Sequence, residues 1–172
     1  GRLWAVPNDG PGTTFYFTLW LGVGEAKGSG KIVPEKLAQL HVLVVDDNAA
    51  ARDVLVHALD GVCARVDAVS SGEEDIALVK QHDAGQPYDV IFMDWRMPGL
   101  DGIGAARLIK QDPELKTHPA VVLVTAFGRE EEVRAEAERV QMDGFLLKPV
   151  TTSMLVDTLV GLFAGAQADR TA

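Results

Sequence analysis

Side chains suited to phosphoryl chemistry stand at four places far apart in this chain of 172 residues: the pair Asp46-Asp47, then Asp94, Thr125 and Lys148, the last followed by Pro149. Each comes directly after a short apolar run. Three carboxylates gathered within several ångströms repel one another by about 4 kcal/mol per close pair at an effective dielectric of 20. A bound divalent cation relieves that repulsion, and an all-oxygen site with few protein ligands and retained water suits Mg2+. Beside such a cation a carboxylate can attack phosphorus as a nucleophile. Asp94 is the candidate, because it ends a central strand. The Lys148 ammonium and the Thr125 hydroxyl would complete the electrostatic clamp that phosphoryl transfer requires. No general base is needed, since a carboxylate is already ionised at neutral pH.

Elements of one kind must bring these residues together. The runs Val42 to Val45, Val90 to Met93, Ala120 to Val124 and Phe145 to Leu147 read as buried strands, and Val62 to Val66 reads as a weaker one. Ser71 and Glu74 form a capping box for a helix to about His82, and helical spacing recurs near 49–59, 102–111, 130–141 and 152–163. Five strand-then-helix repeats imply right-handed crossovers and a parallel sheet covered on both faces. Such α/β sheets place their sites beyond the carboxyl ends of the strands, where all the residues above would converge.

Upstream, Phe15, Phe17, Leu19 and Leu21 alternate with Thr14, Tyr16, Thr18 and Trp20, and Arg2 to Val6 is a second short run across the turn-forming stretch from Pro7 to Gly12. A β-hairpin is expected, and alone it would be marginal in water. Its exposed aromatic residues should dock on the rest of the chain or on a neighbouring molecule.

Composition narrows the function further. Hydrophobic residues make up 47% and charged residues 24%, enough apolar material for a folded core. The formal net charge of −9 disfavours nucleic acid as a partner. The apolar runs fall short of the roughly 20 residues a spanning helix needs, and the N-terminus lacks the order of a signal peptide. A cytoplasmic chain without membrane contact of its own is expected. The lone Cys63 makes neither an internal disulfide nor a cysteine zinc site and reads as a buried, inert thiol.

Val44-Val45-Asp46-Asp47-Asn48, Met93-Asp94-Trp95-Arg96-Met97-Pro98-Gly99-Leu100-Asp101-Gly102, Val124-Thr125-Ala126 and Leu147-Lys148-Pro149 together resemble the receiver (response regulator) domain of two-component signalling, over roughly residues 39–165. The resemblance implies a flavodoxin-like five-stranded parallel sheet in the order 2-1-3-4-5 of its own strands, with helices on both faces and the hairpin as an addition. It implies phosphorylation of Asp94 by a phosphohistidine donor with Mg2+. Asp46, Asp47, Asp94 and the backbone carbonyl of Arg96 would surround the metal, Asp47 the more direct of the first pair. Lys148 would bridge to the phosphoryl group across a cis Lys148-Pro149 peptide, and Thr125 and Phe145 would form the switch. Arg96 and Phe127, two residues after Asp94 and Thr125, would border the path of the attacking water, so the bulk of Phe127 is expected to slow autodephosphorylation.

A second resemblance covers about 24 residues. Gly1-Arg2-Leu3-Trp4 and Gly10-Pro11-Gly12-Thr13-Thr14-Phe15-Tyr16-Phe17-Thr18-Leu19 look like the last glycine box and closing strands of a histidine-kinase ATP-binding domain, with Trp20 where a proline is common. The implied organisation is a kinase remnant at 1–24, a linker at 25–38, the receiver at 39–165 and a tail at 166–172. That order belongs to the C-terminal end of a hybrid sensor histidine kinase whose parent is membrane-anchored. The chain itself is then no kinase. Its implied partners are a phosphohistidine domain, a histidine phosphotransfer protein and a second copy of the chain.

Plainer readings compete at several positions. An isolated Asp-Asp pair before a helix is equally an N-cap; the register of Asp94, Thr125 and Lys148 decides against that here. Asp101-Gly102 reads as a turn and cap. His41, His57, His82 and His118 lack metal-ligand spacing and suit surface or helix-edge roles. Gly28 to Lys31 fails as a phosphate loop, because Glu25 and Ile32 stand where Gly and Ser/Thr are required. Glu130, Glu131, Glu132, Glu136 and Glu138 form a solvated helix face or a partner surface. An aspartate-nucleophile phosphatase would want Asp-x-Asp after the first strand, and an FMN binder would want a hydroxyl-rich loop where this chain has carboxylates.

Overall fold

The computed structural model describes residues 1–22, 35–126 and 130–163, the side chains of 130–134 excepted. The expected tail at 166–172, Phe127, Gly28 to Lys31 and most of the expected linker lie outside the described residues. The chain divides into two compact units, Gly1–Lys31 and Ile32–Ala172.

The first unit is a hairpin of β1 (Arg2–Pro7) and β2 (Thr13–Thr18), antiparallel with Leu3 opposite Phe17 and Trp4 opposite Tyr16. Gly12 takes φ +111° in the connecting turn, a value that a Cβ penalises. The Trp4 and Tyr16 rings stack at 5.4 Å, while Leu3, Phe15 and Phe17 line the other face and are exposed. The second strand stops at Thr18 rather than Leu21, because Arg2 is the last residue opposite it.

In the second unit β3 (His41–Val45), β4 (Arg65–Val69), β5 (Val90–Asp94), β6 (Ala120–Ala126) and β7 (Gly144–Lys148) form a parallel sheet in the order β4-β3-β5-β6-β7. This is the expected 2-1-3-4-5 arrangement. The helices are α1 (Ala49–Leu59), α2 (Gly72–His82), α3 (Gly102–Gln111), α4 (Glu130–Arg139) and α5 (Thr152–Phe163). Both faces of the central strands are buried, which explains their unbroken apolar runs. Leu43, Val45, Ile91, Met93, Val121 and Leu123 pack with residues of α2, α3 and α4. Their alternates Val42, Val44, Val90, Phe92, Val122 and Val124 pack with α1 and α5. Full burial of each such side chain is worth about 1.5–3 kcal/mol.

Three expectations need correction. The weak strand is Arg65–Val69, not Val62 to Val66: Val62 is spent in the core beside Leu59, and the strand itself is a partly exposed edge whose polar positions blur its pattern. Leu37, assigned to the linker, lies in a short 3-10 turn and is buried in that same core with Leu40. His41 is no surface histidine. It opens β3 buried, with Nε2 2.8 Å from Asp67 Oδ2 and Nδ1 3.1 Å from the Gln86 carbonyl. The Tyr88 hydroxyl donates to the same Asp67 oxygen at 2.9 Å. Against the opposing push of burial, the bonds from His41 and Tyr88 and the charge of Arg65 hold the Asp67 carboxyl low. Cys63 is half-buried, and burial followed by the nearby Asp89 charge raises its thiol to about 11.

Candidate functional site

The apolar strand β3 ends at Val45, and the chain leaves the sheet through Asp46, whose N–H still donates to the Val69 carbonyl at 3.3 Å. Asn48 caps α1 by accepting from Ala51 N–H at 3.1 Å, which turns the acidic pair across the carboxyl end of the sheet. The Asp46 carboxylate is buried and accepts Asn48 N–H at 2.9 Å, and its carbonyl accepts the Arg52 guanidinium at 2.6 Å. Asp47 is exposed at the rim. On the next strand Asp94 closes β5, 8% exposed, with Oδ2 accepting Arg96 N–H at 2.8 Å. Gly102 allows the loop after Asp94 to fold back, since a Cβ there would sit 2.2 Å from the Asp94 carbonyl oxygen. The Asp101 carboxylate caps α3 through Gly104 N–H at 2.7 Å, as its turn-and-cap reading requires.

Lys148, from the far end of the sheet, unites the two acids. Its Nζ lies 2.7 Å from Asp46 Oδ2 and 2.5 Å from Asp94 Oδ1. Burial pushes the Asp94 carboxyl up, opposed by the Lys148 ammonium and reinforced by the like charge of Asp46. Burial alone would lower the Lys148 amine, but its bonds to Asp46 and Asp94 outweigh that and raise it. The Lys148–Pro149 peptide is cis.

Of the other residues named from sequence, Arg96 joins this triad through its N–H, and Thr125 and Phe145 stand on the neighbouring strands β6 and β7. Thr125 is buried at the end of β6, and its described hydrogen bond is a long 3.4 Å contact to the Ala126 carbonyl rather than to Asp94. Phe145 is half-buried on β7, opposite Leu123, and packs into the core of the α2–α4 face. Arg96 is exposed, its guanidinium 5.2 Å from the Trp95 ring. Among the described residues no group of three or more His, Cys, Asp or Glu side chains stands close enough to form a ready metal site. The donor chemistry nevertheless suits a hard cation: two buried carboxylates share one ammonium, and a third follows directly in the chain.

Arg52 beside the site and Asp75 inside α2 escaped the sequence reading. Arg52 lies six residues beyond its partner, a spacing with no motif. Asp75 falls on the inner face of α2 and is fully buried, both carboxylate oxygens without a hydrogen bond; its place among apolar neighbours at helical spacing was the one available signal.

Beside Lys148 an apolar groove runs between α1 and the segment after β7, lined by Ala50, Ala51, Val54, Pro149 and Val150. Val54 is 60% exposed there. Among the described residues no helix is long and apolar enough to cross a membrane.

The model of the response regulator receiver domain family matches residues 42–160. A positive alginate biosynthesis regulatory protein of Pseudomonas aeruginosa is 39% identical over 124 residues, covering 70% of this chain and 46% of that protein, so the chain spans about half its length. The chemotaxis protein CheY-3 of Vibrio cholerae is 30% identical over 125 residues, covering 72% of this chain and 92% of that protein. Among solved structures, the receiver domain of the histidine kinase CKI1 from Arabidopsis thaliana, complexed with Mg2+ and BeF3−, matches with a TM-score of 0.64 at 29% identity, covering 76% of this chain and 93% of that one.

Proposed function

We propose, on the premise that this chain belongs to the response regulator receiver domain family, that Asp94 is its phosphoacceptor in two-component signalling and that Lys148, Asp46, Asp47 and Thr125 serve the transfer. The observation that carries this reading is the Lys148 ammonium bridging Asp46 and Asp94, which come from strands on opposite sides of the chain's midpoint. Asp46, Asp47, Asp94 and the Arg96 carbonyl would hold Mg2+, which when bound supplies positive charge to the oxygens of the transferring phosphoryl group. The chain's own residues do the rest. The Arg96 N–H holds Oδ2 of the Asp94 carboxylate, and Oδ1, which Lys148 neutralises, forms the O–P bond as the N–P bond of the phosphohistidine donor breaks. Lys148 shifts from neutralising Asp94 to neutralising the acyl phosphate. The Thr125 hydroxyl, spent only on a long bond to Ala126, turns to a phosphoryl oxygen, and the Phe145 ring follows into the space it leaves.

The donor is a phosphohistidine domain or a histidine phosphotransfer protein. The apolar groove of α1 beside Lys148 suits the helix that would carry that histidine, because the exposed Val54, in the groove that Lys148 also lines, gives a docking anchor. Residues 1–24 we read as the closing strands of a kinase ATP-binding domain, 25–38 as a linker whose last turn packs Leu37 into the receiver core, 39–165 as the receiver and 166–172 as a tail, the order found in a hybrid histidine kinase. Incubation with Mg2+ and a small acyl-phosphate donor, followed by peptide mapping, should place one phosphoryl group on Asp94 and none in Asp94→Asn. Label at another residue, or uptake by Asp94→Asn at the parent rate, overturns the assignment.

A further inference from the structure

Arg52 is the one residue of α1 whose side chain reaches back to the acidic turn. Its guanidinium donates to the Asp46 carbonyl at 2.6 Å, across six residues. That carbonyl belongs to a residue 1% exposed, at the point where the chain has left the β3 ladder and begins the turn to Asp47. Without the guanidinium, a buried carbonyl would face this turn unpaired. Arg52 also attracts Glu74, whose carboxyl is held low first by the Ser70 N–H and hydroxyl and to a smaller degree by Arg52. The guanidinium therefore braces the turn after β3 through the Asp46 carbonyl, beside the bond from Asp46 N–H to Val69. On the other side, Asn48 N–H holds one oxygen of the Asp46 carboxylate and Lys148 the other. Asp46 is thus gripped at its N–H, at its carbonyl and at both carboxylate oxygens, and Arg52 supplies the grip nearest Asp47.

We infer that Arg52 is a positioning residue: by fixing the Asp46 carbonyl it sets the direction in which Asp46 and Asp47 present their carboxylates to a divalent cation. The inference rests on the Mg2+ reading of the site given above. Its sign separates it from plain electrostatics. A positive charge beside a cation site repels the cation, so removing it should tighten binding if charge were all that mattered. A positioning role makes the opposite demand. Loss of a group that orients a metal-binding residue typically weakens the metal about 10-fold or more.

The test is Mg2+ titration of the whole chain, followed by the fluorescence of Trp95, next to Asp94, and by calorimetry, for the parent, Arg52→Ala and Arg52→Lys. The expected result is about tenfold weaker binding in Arg52→Ala and recovery to within about threefold of the parent in Arg52→Lys, which keeps the charge and a donor. Urea midpoints measured alongside separate a structural role, which would lower stability and leave the Mg2+ affinity alone. Unchanged or tighter binding in Arg52→Ala overturns the inference. Should Arg52→Ala fail to fold, Arg52→Gln reads the same sign, with weaker binding supporting positioning and tighter binding refuting it. A parent chain that gives neither a fluorescence change nor heat with Mg2+ overturns the Mg2+ reading, and the role of Arg52 falls with it.

Discussion

Replacing Asp75 with alanine should stabilise this protein at neutral and alkaline pH, and the gain should vanish in acid. Asp75 is fully buried in α2, neither carboxylate oxygen has a hydrogen bond, and burial raises its carboxyl from 3.8 to about 8. The folded protein therefore keeps a proton that the unfolded chain releases near pH 4. Stability is fully present below that pH and is lost as pH rises through about 8, at about 1.4 kcal/mol per pH unit. By pH 7 the parent has lost about 4 kcal/mol, a large part of the 5–15 kcal/mol that holds a typical domain together. Alanine removes the titration and suits a helix interior, at the cost of a small cavity of about 1 kcal/mol. Urea unfolding of parent and variant at pH 4, 5, 6, 7 and 8, followed by far-UV circular dichroism, gives the difference directly. That difference should grow in favour of Asp75→Ala across this range and level off above it. Carboxylates held low, such as Asp67, Asp83 and Asp112, impose the opposite trend on both proteins and cancel. A difference that moves by less than about 1 kcal/mol between pH 5 and 8 would refute the account of Asp75 as an ionisable group buried without a partner.

Lys148→Ala leaves Asp46 and Asp94 buried against each other and should cost about 3 kcal/mol at pH 7 by thermal or urea unfolding. The loss should shrink as pH falls, because Asp94, already raised by burial, then takes up a proton. Gly102→Ala forces a methyl group against the Asp94 carbonyl oxygen and should lower stability by about 1–3 kcal/mol and slow phosphoryl uptake in the same preparation; a neutral substitution would show that the loop can retreat. Carboxyl NMR of protein free of divalent cations should find Asp94 titrating above 3.8, with a downward move when Mg2+ is added; an Asp94 midpoint below 3.8 before addition would contradict the burial argument. Cys63, raised to about 11 by burial and by Asp89, should alkylate slowly at pH 8 and faster in Asp89→Asn.

Periodicity and order along the chain were enough for a parallel sheet covered on both faces and for the rim that gathers the triad, while the strand order came from the family resemblance. Runs such as Val90 to Met93 are apolar at every position, and only a strand buried on both faces uses such a run fully. Once those runs are strands of one parallel sheet, Asp46, Asp94 and Lys148 must share its carboxyl rim, and Lys148 does reach both acids. Capping worked at two helices for the same local reason: the bonds from Ser71 to Glu74 N–H and from Asp101 to Gly104 N–H each span three residues, whereas at α1 the cap is Asn48 and not the acidic pair before it.

What remained for the tertiary structure depends on contacts between residues distant in sequence. The edge strand β4 begins at Arg65 because pairing with His41 sets its register, and no property of Val62 to Val66 alone contains that partner. His41 is buried because Asp67, Tyr88 and Gln86 converge on it from other elements, although its lack of metal-ligand spacing suggested a surface residue. Asp75 is alone because α2 packs that face against the sheet and α3 with no donor opposite. The grip of Arg52 on Asp46 arises from the path of one turn. Helix and strand patterns are short-range consequences of covalent geometry, whereas the surroundings of a charge are fixed by what the whole chain packs around it, and these four residues take their character from that packing.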